Sequence, residues 1–288
     1  MAIATLIAAG RLDDRLLGEA LGRLGGGRLE AWIDEGDAAD VQFNAGIDTA
    51  RAGLSEIEGL DFAIREGPRV PAELFFADMD STIIGQECID ELADYAGLKD
   101  EVAAITERAM NGELDFASAL KERVALLKGL DVKTIAKCRR ARIRPNPGAK
   151  TLVSTMRARG AMTVLVSGGF VDFVRAIARD LGFNRMRANY LEAESGKLTG
   201  RTVGAIVGAA AKRELAEQIL SARKLSSESL VAIGDGANDV PMIELAGLGV
   251  GYRPKPALAA VADGIIRHHD LTALLWMQGI PRRDWVDA

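Results

Sequence analysis

The stretch Leu74-Phe75-Phe76-Ala77-Asp78-Met79-Asp80-Ser81-Thr82 is the strongest constraint on the fold of this chain. Four apolar residues in a row read as a short strand buried on both faces, because a half-exposed strand would alternate. Such strands belong to parallel α/β sheets, and those sheets bind ligands at the carboxyl ends of their strands. Asp78 then stands at such an end, and Asp80 in the loop just beyond. Two carboxylates placed there can hold a divalent cation or divide into a nucleophile and an acid/base. The plainer alternative is an Asp-rich turn that closes a strand, and the other stretches have to decide.

Two more runs have the same form. Met162–Val166 ends at Ser167-Gly168-Gly169, and Leu230–Ile233 ends at Gly234-Asp235-Gly236-Ala237-Asn238-Asp239. Around them the spacing predicts helices over 149–159, 171–181, 209–224 and 271–277, a hairpin over 186–201 and a strand over 248–252. Strands alternating with helices give an α/β class, a doubly wound parallel core. In such a sheet the three run ends share one edge, so Asp78, Ser167 and Asp235 converge.

From residue 85 to about 144 the pattern is helical throughout, with helices over 99–110, 116–128 and 132–140 and Asp115 as the N-cap of the second. A helical block between two buried strands reads as an inserted cap. Residues 1–70 read as a small α+β N-terminal domain. It has a strand within Met1–Gly10, a helix over 13–24, a strand over 29–33, a helix over 45–54 and a strand near 61–64. Gly67-Pro68-Arg69-Val70-Pro71 marks its boundary with residues 71–288. Gly25-Gly26-Gly27 is followed by no Lys-Ser or Lys-Thr and reads as a plain turn.

The composition, 48% hydrophobic and 27% charged, is that of a chain that can bury a sizeable core. A net charge of -5 with no basic block argues against a nucleic-acid partner. No apolar run approaches the length of a membrane span. Cys88 and Cys138 make no disulfide framework and fit a reducing compartment, so the expected location is cytoplasmic. His268-His269 reads as a surface loop, and the scattered Trp32, Trp276 and Trp285 as packing residues.

The chemistry of the converging residues is specific. Asp78, Asp80 and Asp235 supply hard oxygen ligands, which suit Mg²⁺, and Mg²⁺ suits phosphate. Ser167 adds a hydroxyl, and Gly168-Gly169 let backbone N–H groups approach a phosphate closely. Lys212, near the start of the 209–224 helix, offers a compensating cation. A carboxylate can attack phosphorus, so phosphoryl transfer follows as the reaction class.

In this order Asp78-x-Asp80-x-Thr82, Ser167, Lys212 and Gly234-Asp235-Gly236-x-Asn238-Asp239 resemble the four motifs of the haloacid dehalogenase-like phosphohydrolases. Glu87-Cys88-Ile89-Asp90-Glu91, Met110-Asn111-Gly112-Glu113-Leu114-Asp115-Phe116 and Ser167-Gly168-Gly169-Phe170 extend the resemblance to members that act on phosphoserine. It covers roughly residues 72–275. The first seventy residues resemble, loosely, ACT-like amino-acid-binding modules. The resemblance implies an Mg²⁺-dependent phosphatase that converts O-phospho-L-serine to L-serine and phosphate, the last step of serine biosynthesis, through an aspartyl-phosphate. Asp78 would be the nucleophile and Asp80 the acid/base. Asp78, Asp235 and the Asp80 main-chain carbonyl would hold the metal. Ser167, Gly168 and Lys212 would hold phosphoryl oxygens, and Asn238 phosphate or substrate. Thr82 and Asp239 would support them.

In the cap, the resemblance assigns Glu87 and Arg123 to the amino and carboxylate groups, with Met110 and Phe116 as walls. Periodicity by itself places Phe116, Leu120 and Arg123 on one helical face, and favours a snorkelling Arg123 and a solvated Glu87 over ligand roles. A phosphotransferase, another small-metabolite phosphatase, an amino-acid sensor built on residues 1–70 and a homo-oligomer all stay open.

Overall fold

The computed structural model describes residues 2–286, so Met1 lies outside the described residues. The first unit runs β1 (Ala2–Ile7), α1 (Asp14–Arg23), β2 (Gly27–Asp34), β3 (Ala38–Phe43), α2 (Ile47–Ser55) and β4 (Asp61–Glu66). Then come β5 (Leu74–Ala77) and the helices of the inserted block, α3 (Cys88–Ala93), α4 (Lys99–Met110), α5 (Phe116–Leu126) and α6 (Lys133–Arg142). The remainder is α7 (Ala149–Ala158), β6 (Met162–Phe170), α8 (Val171–Leu181), β7 (Arg185–Glu194), β8 (Lys197–Val203), α9 (Ala209–Arg223), β9 (Leu230–Gly234), α10 (Val240–Leu245), β10 (Leu248–Tyr252), α11 (Pro256–Ala259), β11 (Gly264–Ile266) and α12 (Ala273–Met277). Among the described residues no helix is long and apolar enough to cross a membrane.

One sheet runs through the molecule, in the order β2-β3-β1-β4-β11-β10-β9-β5-β6-β7-β8. From β11 to β7 all neighbours are parallel. Burial on both faces is explicit in the core strands. Phe75, Ala77, Val231, Ile233 and Leu165 enter one hydrophobic core, and Leu74, Phe76, Leu230, Ala232 and Val164 the other. Consecutive apolar residues are needed because each face has its own helical layer. Helices α1, α2, α9 and α10 cover one face, while α7, α8, α12 and the inserted helices cover the other. The chain leaves β5, returns to one side of it as β6 and later to the other as β9. That reversal opens a crevice at the carboxyl end of β5.

Two strands of the structure fall outside the sequence reading. In β3 the polar residues Asp40 and Gln42 break the apolar pattern. Asp40 is nonetheless buried, because Arg69 donates to both its oxygens (2.7 and 2.6 Å), Arg65 to one (3.0 Å) and Thr5 to the other (2.8 Å). With β3 the first unit is β-α-β-β-α-β, a split βαβ arrangement. The second strand is β11, three residues long. It pairs antiparallel with β4 (Ala63↔Gly264, Phe62↔Ile265) and joins the two sheets into one.

His269 also differs from a surface loop. Its Nδ1 lies 2.8 Å from Asp61 and its Nε2 accepts the Ala9 N–H at 3.0 Å, so Nδ1 carries the proton. Asp61 further accepts the N–H groups of Arg267, His268 and His269. Burial would raise its carboxyl, and these donors outweigh burial and hold it below the usual range. The histidine pair therefore fastens the first unit to the loop before α12. Cys88 and Cys138 are buried thiols, and Trp276 packs against Trp285 at 5.0 Å.

The inserted block leaves at Ile84 and returns at Pro145, which pair as an antiparallel bridge. A second attachment is less expected. Gly129 N–H donates to Leu198 (2.8 Å), Leu198 N–H to Leu130 (2.9 Å) and Val132 N–H to Gly196 (3.0 Å), so the block is bonded to the β7–β8 hairpin.

Asp40 carries the stability test of the first unit. Its removal leaves Arg65 and Arg69 largely buried without a counter-charge, which costs about 3 kcal/mol or more. Asp40→Ala is expected to lower the urea midpoint correspondingly, whereas Arg28→Ala on the exposed edge should leave it within about 0.5 kcal/mol of wild type.

Candidate active site

The site is built on the carboxyl ends of β5, β6 and β9, closed from above by α3, α4 and α5. Strand β5 stops at Asp78, whose N–H still donates to Ile233 of β9 (3.0 Å). The chain then turns sharply through Met79–Ile83. Ser81 takes a left-handed backbone conformation (φ 56°), which a side chain other than glycine adopts only when its surroundings enforce it. Here the enforcement is visible: Ser81 N–H donates to Gln86, Ile84 N–H to Met79, and the Asn146 side chain to the Thr82 carbonyl. The turn delivers Asp80 to the crevice, where one oxygen accepts the Cys88 N–H (2.8 Å) and the other the Ser167 hydroxyl (2.9 Å).

Lys212 rises from the first turn of α9 with no exposed surface. Its Nζ donates to Asp78 Oδ1 at 2.5 Å and to Asp239 Oδ1 at 2.6 Å. The second oxygen of Asp239 accepts the N–H groups of Asp235 (3.2 Å) and Gly236 (3.4 Å), so both oxygens are occupied. A side chain at Gly234 would collide with that carboxylate, its Cβ falling 2.4 Å from Oδ2. Asp235 accepts from Thr82 at 3.2 Å. Asp78, Asp235 and Asp239 can place one oxygen each within 4.8 Å of one another.

Burial would lower Lys212, but Asp239 and Asp78 outweigh it and raise the ammonium above its usual range. Asp78 itself is pushed well up, by burial first and then by Asp239, with Lys212 opposing. The two directions agree once charges are counted. One cation faces Asp78, Asp80, Asp235 and Asp239, so the lysine is amply compensated and the acids are not. Asp235, raised by burial and then by Asp239, is pushed up to about 7.

At the cap end, Arg123 is 2% exposed. Its Nε donates to Ala119 (3.2 Å) and its Nη1 to Thr106 (2.9 Å), while Thr106 lies 2.6 Å from Asp90. Burial lowers the guanidinium, and Glu87, Asp90 and Asp80 oppose that. Half-buried Glu87 accepts from Ser81 at 2.7 Å. Its carboxyl is raised well above the usual range by burial, then by Asp80 and Asp235.

One cavity is lined by Asp78, Asp80, Glu87, Met110, Phe116, Arg123, Gly168 and Asn238 together. Ser167, Lys212, Asp235, Asp239 and Thr82 stand directly behind this lining through the bonds above. All the candidate site residues of the sequence therefore meet at one place. Ile89 and Phe170 also line it. Both are apolar residues inside regular elements, and nothing in the pattern separates them from core. Thr106 and Asn146 likewise give no signal, because their partners lie far along the chain, and Asp90, although inside the Glu87–Glu91 motif, is given no role there.

The raised carboxyl of Asp235 has a definite sign. Its stabilisation of the metal-free protein is full below the unfolded carboxyl value and is lost as pH rises through about 7. Thermal melts in EDTA are expected to fall in temperature between pH 5 and 7 and then level off, with a smaller fall in Asp235→Asn.

Residues 75–244 match the model of the haloacid dehalogenase-like hydrolases. Phosphoserine phosphatase of Archaeoglobus fulgidus is 41% identical over 255 residues, 88% of this chain and 73% of that one. A solved phosphoserine phosphatase carrying a phospho-aspartyl intermediate analogue superposes with a TM-score of 0.68 at 38% identity, over 72% of this chain and 99% of that one. A probable phosphoserine phosphatase from Vibrio cholerae superposes with a TM-score of 0.76 at 31% identity, over 96% of this chain and 86% of that one. The family match runs from the strand that presents Asp78 to the helix that follows Asp239, and the chain belongs to the haloacid dehalogenase-like hydrolases.

Proposed function

We propose that the chain is an Mg²⁺-dependent phosphatase that hydrolyses O-phospho-L-serine to L-serine and phosphate. The observation that carries this reading is the polarity of the cavity at the strand ends. One end offers Asp78 against Lys212 and the glycine turn, which suits a phosphoryl group. The other offers a carboxyl, Glu87, near a buried guanidinium, Arg123, which suits an ammonium and a carboxylate on one carbon. The likeness to phosphoserine phosphatases supports the same substrate.

The donor set fits a hard divalent cation. Buried carboxylates outnumber the one buried ammonium, and oxygen-only ligands suit Mg²⁺. Asp78 and Asp235 would hold it with the main-chain carbonyl of Asp80. Asp239 has both oxygens committed and serves the lysine. When bound, the cation screens the repulsion between the anionic nucleophile and the anionic phosphoryl group.

Asp78 attacks phosphorus, with Lys212 fixing its carboxylate and neutralising phosphoryl charge. The phosphorus–oxygen bond to serine breaks, and Asp80 gives its proton to the leaving oxygen. Asp80 then takes a proton from the water that opens the aspartyl-phosphate, which restores Asp78. The Ser167 hydroxyl, bonded to Asp80 in this structure, can turn to a phosphoryl oxygen and so free Asp80 for proton transfer. The small N-terminal domain, residues 1–70, is read as an ACT-like accessory to this chemistry.

Phosphate release from O-phospho-L-serine is expected to need added Mg²⁺, to vanish in EDTA, and to fall at least about a thousandfold in Asp78→Asn. Release that survives both would refute the assignment. Arg123→Met is expected to raise KM for O-phospho-L-serine about a hundredfold while changing hydrolysis of p-nitrophenyl phosphate little, since that substrate has no carboxylate to lose. Equal losses on both substrates would remove Arg123 from carboxylate recognition.

A further inference from the structure

Asn189 takes part in none of the steps above, yet it joins the two segments that those steps depend on. It lies near the middle of β7, next to β6, and is 2% exposed. Its Nδ2 donates to the Gly168 carbonyl at 2.8 Å and reaches the Val207 carbonyl at 3.5 Å. Its Oδ1 accepts the Val207 N–H at 2.8 Å. Two carbonyls on one side and an N–H on the other define the amide's orientation, and only an asparagine or glutamine amide supplies both.

Each bond has a consequence for the site. The peptide unit between Gly168 and Gly169 is trans, so its carbonyl and its N–H point in opposite directions. Holding the Gly168 carbonyl therefore aims the Gly169 N–H the other way, and it meets the Ser167 hydroxyl oxygen at 2.8 Å. A Cβ on Gly169 would lie 2.6 Å from Asp80 Oδ2, so that face of the irregular end of β6 is the face that looks onto the acid/base. The other arm holds both backbone groups of Val207, one residue before Gly208, which caps α9 and accepts the N–H of Lys212 at 3.0 Å. The start of the helix that carries the lysine is thereby fixed relative to Gly168 and Gly169 at the end of β6. Phe116 of the cap closes over both segments. A Cβ on Gly168 would fall 2.4 Å from its ring and one on Gly208 3.1 Å.

We infer that Asn189 is a positioning residue for phosphoryl binding, setting the Gly168–Gly169 peptide and the α9 start at the separation that one phosphoryl group spans. This rests on the phosphatase reading above. Asn189 touches neither substrate nor reacting atoms and acts through Gly168, Gly169 and Lys212. Its loss should therefore weaken the phosphate end of the site and spare the amino-acid end, which the cap supplies.

The test uses the full chain with Mg²⁺ and compares wild type, Asn189→Asp and Asn189→Ala. Asparate at this position keeps the size and the acceptor for Val207 N–H but turns a carboxylate oxygen toward two carbonyls. The expected result is a fall in kcat for O-phospho-L-serine of about a hundredfold. Inhibition by inorganic phosphate should weaken about tenfold or more, inhibition by L-serine should stay within about twofold, and a cooperative melt should persist in at least one variant. Unchanged kcat and phosphate inhibition in a folded variant would overturn the inference. So would parallel loss of phosphate and serine inhibition, or loss of the cooperative melt in both variants, since either makes Asn189 a purely structural residue. A wild-type protein that releases no phosphate from O-phospho-L-serine would instead overturn the phosphatase reading.

Discussion

An ammonium with no access to water, held between two carboxylates, is the interaction on which the geometry of the site rests. Lys212 comes from α9, Asp78 from β5 and Asp239 from the turn after β9. Moving any of these elements would strand a buried charge, and an uncompensated buried charge costs several kcal/mol. The triad therefore fixes three parts of the fold against one another more firmly than apolar packing would, since packing tolerates small shifts. Even so, the carboxylates outnumber their cation. The fold accepts a local electrostatic cost that a divalent cation relieves, as is common where binding sites are prearranged.

The legible parts of this chain are those whose burial has a simple geometry. β5, β9 and the first half of β6 are buried on both faces, and two-sided burial writes itself as consecutive apolar residues. Asp78, Ser167 and Asp235 were found because each interrupts such a run at its end. The unread parts are polar groups buried by pairing. Asp40 hides β3, because a carboxylate in a strand centre is tolerated only with Arg65, Arg69 and Thr5 around it, and all three of those partners lie at least 25 residues away. β11 is too short to show a period, and its glycine packs against Ala63 of β4. His269 reads as surface until Asp61 and Ala9 are seen beside it. Arg123 lies between these cases: helical spacing put it on the Phe116 face, but only a family resemblance gave it a role.

The division of labour within the site follows from where each part is anchored. The phosphoryl end belongs to strand ends and to the first turn of a helix in the sheet layer. In the proposed reading the amino-acid end belongs to α3, α4 and α5, whose connecting segments meet at the Ile84–Pro145 bridge. A rigid reacting end and a separately mounted selecting end allow one chemistry to serve different substrates by changes in the cap alone.

Access to the site restricts how the cap can move. The cavity between the cap and the strand ends is narrow, about 30 Å³ in volume. A phosphorylated amino acid fills more than this, so its entry is expected to part the cap from the strand ends. The cap is bonded to the hairpin tip by Gly129, Val132 and Leu198 through backbone groups. Rotation about the stem alone would break those bonds together. A motion that keeps them must carry the hairpin tip along and bend β7 and β8 near Tyr190 and Val203, which face each other in register. Asn189 is the residue just before that bend, bonded to the sheet side. The hairpin can therefore follow the cap while Gly168 and Gly169, at the end of β6, stay in place.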